Sequence, residues 1–196
     1  MSINFKNKKV AIIGLGIEGK DALGFLLGKG AGVTVFDRNE KAELNTSGVS
    51  SRDFEFIGGE DYLKHLEGFD TIVHSPGVRP DLPELLEAVK KGAELTSAIN
   101  IFFKLSPAKI VGVTGTKGKG TTATLIYECL ASSGRSVYLA GNISKPYLGL
   151  LDHLKETDVV ILELSSFQLL DIKKSPHIAV VLNIATDHLD WHPDRE

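Results

Sequence analysis

Continuous apolar runs that alternate with helical stretches constrain the fold of this chain more than any other feature. A strand with one wet face alternates apolar and polar side chains, whereas strands in a covered parallel sheet are apolar throughout. The sequence therefore predicts an α/β fold whose parallel sheets are covered by helices on both faces. The strand-like runs are at 9–15, 32–37, 54–59, 70–76, 108–115, 136–141, 158–165 and 177–184. The helical stretches are near 18–29, 60–67, 82–91 and 121–133.

The β/α pattern restarts near residue 105, where "FFKLSPAK" ends one series and a second glycine-rich loop follows. A length of 196 residues suits one large domain or two small ones. We predict a Rossmann-like domain over 1–105 and a P-loop α/β ATPase domain over 106–196. The second series has four strand-like runs and no closing helix, so we expect it to be the first part of a longer domain.

Composition excludes several classes of protein. A net charge of −3 gives no sign of a nucleic-acid-binding surface, and the single cysteine, Cys129, cannot form an intramolecular disulfide. No apolar run reaches the roughly 18 residues that a membrane span requires. The segment "MSINFKNKKV" lacks the apolar core of a signal peptide. We expect a cytoplasmic protein with neither nucleic acid nor membrane as a partner.

A first glycine loop, "GLGIEG" at 14–19, follows a strand-like run and precedes a helix. Asp37 ends the next strand-like run about twenty residues later, which completes the dinucleotide fingerprint. In that fingerprint the glycines allow a tight turn and close approach of a diphosphate, and the acid reaches a ribose hydroxyl. Taken alone, this segment predicts an NAD site.

A second glycine loop, "VTGTKGKGTT" at 113–122, also lies between a strand and a helix. It departs from the strict P-loop string, because Val113 stands where the first glycine belongs and Gly120 precedes Thr121. Its chemistry still suits phosphate, since backbone N–H groups, a helix N-terminus and Lys119 can converge on an anion. The alternative is a glycine-rich turn with two solvated lysines.

Acids and histidines follow the last two strands. Glu163 lies in the apolar run "VVILELSS", where a carboxylate is costly unless it is paired or binds a metal. Asp187, His188, Asp190 and His192 crowd the loop "ATDHLDWH". Oxygen ligands with an occasional imidazole suit Mg²⁺ or Mn²⁺. The alternatives are a glutamate satisfied by backbone amides and an ordinary polar loop.

Several segments together resemble the Mur ligases, the ATP-dependent amide-forming enzymes of bacterial cell-wall precursor synthesis. They are "GTKGKGTT", "LELSSFQL", "LNIATDHLDWH", "HSPGV" at 74–78 and "AGNI" at 140–143, and the resemblance covers 1–196. "LELSSFQL" is similar to the form in the D-glutamate-adding member. Two residues depart from the usual pattern. Gly120 stands where that member usually has Ser or Thr, and the resulting Gly-Lys-Gly form is more similar to folylpolyglutamate synthase. Ser144 stands where Gly is usual.

The resemblance implies ligation by way of an acyl phosphate. ATP would phosphorylate the L-alanine carboxylate of UDP-N-acetylmuramoyl-L-alanine, and the amine of D-glutamate would then attack. Mg²⁺ would neutralise the phosphate and carboxylate oxygens. The D-glutamate site and the carbamylated lysine of the family would lie beyond residue 196, so we expect the chain alone to bind substrate without ligating it. The first glycine loop would then hold UDP instead of NAD.

The resemblance also implies roles for individual residues. Those expected to bind ATP are Gly115, Thr116, Lys117, Gly118, Lys119, Gly120, Thr121 and Thr122. Those expected to contact the UDP-linked substrate are Gly14, Leu15, Gly16, Asp37, Arg38, Ser75, Pro76, Gly77, Asn142 and Ser165. The expected catalytic residues are Lys119, Glu163 and His188, and the expected metal ligands are Thr121, Glu163 and His188.

Three alternatives remain open. An NAD-dependent oxidoreductase explains residues 1–40 but leaves Lys119 and Glu163 without a role. Another Mur ligase or a folate ligase shares the second loop, although a folate ligase should lack the first domain. A non-catalytic nucleotide-binding module is the third class.

Overall fold

A computed structural model describes residues 3–41, 49–142, 147–170 and 172–186. It confirms the predicted α/β class with parallel sheets. Contacts divide the chain into two compact units, which are treated separately below. Unit 1 is Met1–Leu105 with Pro146–Asp152, and unit 2 is Ser106–Lys145 with His153–Glu196.

Unit 1 contains a parallel sheet of five strands in the order β3-β2-β1-β4-β5. The strands are β1 Lys9–Ile13, β2 Gly32–Asp37, β3 Glu55–Gly58, β4 Thr71–His74 and β5 Glu94–Ser97. The helices are α1 Ile17–Gly28, α2 Pro83–Lys90 and α3 Ala98–Leu105, with a short 3₁₀ helix at Tyr62–His65. The chain order reverses at β1, between β2 and β4, so the carboxyl end of β1 is the switch point at which such sheets bind ligands.

Unit 2 contains a parallel sheet of four strands in the order β7-β8-β6-β9. The strands are β6 Lys109–Thr114, β7 Val137–Gly141, β8 Val159–Glu163 and β9 Ile178–Val181. The helices are α4 Lys119–Ser132 and α5 Ser166–Leu169. All five residues of β8 are buried, as its uninterrupted apolar run predicts for a central parallel strand. No helix within the described ranges is long and apolar enough to cross a membrane.

Two elements of unit 1 were not predicted. β5 is short and polar, "ELTS", and so lacks the apolar run of its neighbours. α3, "AINIFFKL", is buried over its first six residues, of which only Asn100 is polar. A helix that is apolar nearly all round cannot be told from a buried strand by periodicity. The helix expected over 60–67 is only the short 3₁₀ helix.

A segment from the second half of the chain belongs to unit 1. It contains the 3₁₀ helix Leu148–Asp152. Tyr147 precedes that helix, and its ring packs edge-on against Phe102 at 5.5 Å between centroids. Tyr147 donates its hydroxyl to Glu18 Oε2 over 2.6 Å. Residues 147–152 were placed in the second domain by the sequence prediction, and that boundary remains a prediction.

Asp21 of α1 holds the start of this 3₁₀ helix. Its carboxylate accepts the backbone N–H of Leu148 over 2.7 Å and that of Gly149 over 3.2 Å. Burial raises the pKa of the Asp21 carboxyl above its usual range, and the hydrogen bonds from these backbone groups partly oppose the rise. Asp21 thus acts as a capping residue supplied by a distant part of the chain.

We expect Asp21→Ala to destabilise unit 1 by about 1–2 kcal/mol at neutral pH, because two N–H groups lose their acceptor. The folded-state pKa is raised, so the native state binds the proton more tightly than the unfolded chain. Stability from this group is therefore greatest below pH 3.8 and declines as pH rises through the folded-state pKa. The loss caused by Asp21→Ala should accordingly be larger at pH 4 than at pH 7.

Hydrogen exchange of the α1 amides at both pH values measures this effect. Asp152→Ala is the matched control, since Asp152 lies in the same segment but pairs with Lys29 at the surface. Exposed ion pairs contribute about 0–1 kcal/mol. Equal losses from the two variants would show that Asp21 has no special role.

Candidate nucleotide-binding sites

The first glycine loop turns sharply out of β1 into α1. Gly14 has a φ of 91°, a left-handed conformation that glycine adopts without strain. A Cβ atom on Gly19 would lie 2.0 Å from the carbonyl oxygen of Gly14, so the helix can approach the loop this closely only without a side chain there. Gly16 is the N-cap of α1 and supplies no side-chain cap. The first N–H groups of α1 can therefore face an anion.

Asp37 ties the glycine loop to the end of β2. Its Oδ2 accepts the Leu15 N–H over 2.7 Å, and its Oδ1 accepts the Asn39 N–H over 2.9 Å. The carboxylate thus has a structural role in addition to any contact with a ribose. Asp37 also lines an open cleft of about 650 Å³ beside the loop, together with Leu15, Lys20, Asn39, Glu40 and Lys41.

Ser75 supports the same loop from β4. Its Oγ donates to the carbonyl oxygen of Gly14 over 2.9 Å, and its N–H donates to that of Ile13 over 2.9 Å. Pro76 and Gly77 follow Ser75, and Arg38 follows Asp37, which places all of them after the carboxyl ends of β4 and β2. The predicted residues Gly14, Leu15, Asp37 and Ser75 are therefore brought together, whereas the sequence analysis missed Lys20.

The second glycine loop joins β6 to α4 in unit 2. Gly115 has a φ of 138° and Gly118, the N-cap of α4, has a φ of 86°. A Cβ atom on Gly115 would lie 2.7 Å from Leu182 Cβ, so this glycine is needed for close packing as well as for its backbone angle. No side chain caps α4, and its first turn contains Gly120, Thr121 and Thr122. These are the features of a phosphate-binding loop.

The side chain of Lys119 folds back over this loop. Its ammonium group donates to the carbonyl oxygens of Gly115 over 2.8 Å and Thr116 over 3.2 Å. The positive charge is therefore held at the loop by the backbone. Burial raises the pKa of the Glu163 carboxyl, and the nearby charge of Lys119 partly opposes that rise.

Glu163 is the last residue of β8 and is 7% exposed. It aligns with Val113 of β6 on one side and with Gly141 of β7 on the other, at the carboxyl ends of three strands. Among the described residues no donor bonds to its carboxylate oxygens.

Ser165 and Asn142 flank Glu163. Ser165 is the N-cap of α5: its Oγ accepts the Gln168 N–H over 3.3 Å, and Gln168 Oε1 accepts the Ser165 N–H over 2.8 Å. This reciprocal pair is a capping box, so Ser165 has a structural role whether or not it contacts substrate. Asn142 is exposed, and its backbone N–H donates to the carbonyl oxygen of Glu163 over 3.3 Å.

The predicted cluster of acids and histidines after the last strand lies outside the described residues. All four of its residues lie beyond residue 186: Asp187, His188, Asp190 and His192. The expected catalytic and metal-binding roles of His188 therefore stay predictions. Ser144 falls in the gap at 143–146. Within the described ranges there is no group of three or more His, Cys, Asp or Glu side chains that could hold a metal ion. Of the expected ligands, buried Glu163 and exposed Thr121 are described.

Each of the two parallel sheets has a glycine loop at the carboxyl end of one strand, and each loop is a candidate nucleotide-binding site. Comparison with family models identifies the class. Residues 8–97 match the Mur ligase MurD-like, N-terminal domain, and residues 113–196 match the Mur ligase middle domain. The chain belongs to the Mur ligase family.

Two curated relatives share one enzyme name. The chain is 48% identical over 189 residues to the UDP-N-acetylmuramoylalanine–D-glutamate ligase of Ruminiclostridium cellulolyticum, covering 95% of this chain and 41% of that protein. It is 45% identical over 193 residues to the ligase of the same name from Acetivibrio thermocellus, covering 97% and 41% respectively. The chain thus spans about two-fifths of the length of these relatives.

Solved structures support the fold. The UDP-N-acetylmuramate–alanine ligase of Thermotoga maritima matches with a TM-score of 0.57 and 21% identity, over 96% of this chain and 44% of that one. A murein peptide ligase from Psychrobacter arcticus matches with a TM-score of 0.54 and 17% identity, over 94% and 44%. At this level of identity the likeness concerns the fold alone.

Proposed function

We propose that this chain forms the UDP-substrate-binding and ATP-binding parts of an ATP-dependent ligase. The complete enzyme joins D-glutamate to UDP-N-acetylmuramoyl-L-alanine in peptidoglycan precursor synthesis. The observation that carries the proposal is the second glycine loop, which follows β6 and ends where Lys119 begins α4, while buried Glu163 ends the neighbouring strand β8. The names of the curated relatives supply the substrates. A cytoplasmic location follows from this assignment.

Unit 2 takes ATP in this proposal. The residues from Gly115 to Thr122 surround the triphosphate, and the N–H groups of the first turn of α4 point toward it. Lys119 leaves the loop carbonyls and neutralises the phosphoryl group as it moves to the substrate carboxylate. Phosphoryl transfer depends on positioning and charge neutralisation more than on covalent help from the protein, which suits these groups.

Mg²⁺ is the metal that the described donors fit. Glu163 is a buried carboxylate without a hydrogen-bond donor among the described residues, and Thr121 offers a hydroxyl in the first turn of α4. Hard oxygen donors of this kind prefer Mg²⁺ to softer metals. Together with His188 they would hold the ion, which would supply charge neutralisation between the phosphate and carboxylate oxygens.

Unit 1 takes the UDP portion of the substrate. The diphosphate lies at the first glycine loop and the start of α1, and the uridine lies in the cleft beside Asp37 and Arg38. Ser75, Pro76 and Gly77, which follow β4, are assigned to the sugar-peptide end. The fingerprint specifies a backbone shape for a diphosphate and leaves the rest of the ligand open, so it is compatible with UDP.

Calorimetry on this chain tests the assignment of unit 1. UDP and UDP-N-acetylmuramoyl-L-alanine should bind more tightly than NAD, with the muramoyl ligand at least as tight as UDP. Uridine without phosphate should bind at least about tenfold more weakly than UDP, because charge-assisted hydrogen bonds to the diphosphate are lost. Tighter binding of NAD than of either uridine ligand would favour the oxidoreductase and overturn the proposal.

A further inference from the structure

The four residues after β9, Leu182–Ala185, run alongside the second glycine loop. Leu182 donates its N–H to the carbonyl oxygen of Thr114 over 2.9 Å. Thr116 then donates its N–H to the carbonyl oxygen of Asn183 over 2.8 Å. The backbone pairing of β6 with β9 thus continues past the ends of both strands and into the glycine loop.

Two side chains strengthen this contact. Asn183 Oδ1 accepts the backbone N–H of Lys117 over 3.3 Å. The hydroxyl of Thr116 accepts the Ala185 N–H over 2.9 Å and is 3.2 Å from the Ala185 carbonyl oxygen, to which it can donate. The first half of the loop is therefore fixed by hydrogen bonds from a single neighbouring segment.

These contacts divide the loop into two parts. The N–H groups of Thr116 and Lys117 are already used, and so is the Thr116 hydroxyl. The N–H groups at the start of α4, from Lys119 to Thr121, have no side-chain cap. A phosphate would thus be met by the second half of the loop, while the first half sets where that second half begins.

We propose that Asn183 is a positioning residue for phosphate binding: by holding Lys117 it fixes the glycine loop in the shape that directs the first turn of α4 at the triphosphate. The inference rests on the proposed function of unit 2 and extends it to a residue that contacts no ligand. It also gives Thr116 and the Lys117 backbone, which lie in the loop expected to bind ATP, the role of holding that loop in place.

Amide hydrogen exchange tests the contact without any nucleotide. In Asn183→Leu, exchange at Lys117 should rise about five- to tenfold, which corresponds to one hydrogen bond of ordinary net strength. Asn183→Asp keeps the acceptor oxygen and should leave that exchange within about threefold of the parent. Ile184→Ala is the matched control, since Ile184 is 79% exposed and should leave exchange at Lys117 unaltered. Unchanged exchange in Asn183→Leu would overturn the inference.

Calorimetry with Mg²⁺-ATP and, separately, with UDP tests the consequence for binding. Asn183→Leu should weaken ATP binding by about tenfold or more and leave UDP binding unchanged, and Ile184→Ala should change neither. Faster exchange at Lys117 with unchanged ATP affinity would overturn the positioning role. Failure of the parent chain to bind ATP would instead overturn the proposed function of unit 2, and with it any role of Asn183 in phosphate binding.

Discussion

Lys119→Ala should reduce the turnover of the complete ligase by a factor of about 10²–10³, the usual cost of removing one well-placed electrostatic group from a transition state. The ammonium group lies at the glycine loop, where it contacts the carbonyl oxygens of Gly115 and Thr116 and acts electrostatically on Glu163. Alanine cannot supply the positive charge that the migrating phosphoryl group requires. Steady-state phosphate release and product formation measure the effect.

The fold should tolerate this substitution, because Lys119 is only partly buried and begins a helix in which alanine is favourable. Lys109→Ala is the matched control: the same change at the exposed start of β6, away from the loop, should leave turnover within about twofold. Turnover near that of the parent in Lys119→Ala, with circular dichroism unchanged, would contradict the assigned role.

Gly19→Ala should destabilise unit 1 by about 3 kcal/mol or more and abolish measurable binding of UDP. The new Cβ would lie 2.0 Å from the Gly14 carbonyl oxygen, a backbone atom that cannot rotate away. Overpacking costs about 1–3 kcal/mol when side chains can adjust, and here α1 itself would have to move. Such a shift would displace the N-terminus of the helix from the diphosphate.

Gly24→Ala is the matched control in the same helix. A Cβ at Gly24 meets nothing within 4 Å, so this change should stabilise α1 by about 0.5–1 kcal/mol and leave UDP binding unchanged. Hydrogen exchange of the β1 amides reports unit 1 alone, which avoids treating a two-unit chain as two-state. Equal effects of the two alanines on exchange and on UDP binding would rule out the close contact at Gly19.

Much of the fold could be predicted because the central strands are apolar throughout. β1, β2, β6 and β8 follow from uninterrupted runs, and both glycine loops follow from their place after such runs. β5 and α3 could not be predicted in this way. The first carries no apolar run, and the second has too few polar residues in its buried stretch for a helix to be distinguished from a strand.

The same distinction applies to the candidate site residues: those marked by local sequence could be predicted, and the others could not. The sequence pattern singled out Lys119, Glu163 and Asp37 as candidate site residues, because each directly ends a strand or begins a helix. Their roles remain predictions. Asn183 and Lys20 could not be located, because their relevance comes from contacts between segments distant in sequence or from a position along a cleft. Ser165 is difficult to interpret for a different reason. It lies within a motif of the family, but it is also the N-cap of α5, which is a purely local structural role.

The Tyr147–Asp152 segment affects which hybrids of this chain with its relatives can be functional. Unit 1 is discontinuous in sequence. A crossover near residue 105 would therefore take α1, with Asp21, from one parent and the 3₁₀ helix that Asp21 caps from the other. Only parents that share Glu18, Asp21 and the tyrosine at position 147 should recombine there without loss. A hybrid made with two crossovers, which takes the Tyr147–Asp152 segment together with the first 105 residues from one parent, should preserve stability. Among relatives, the sequence of this segment should therefore vary together with that of α1.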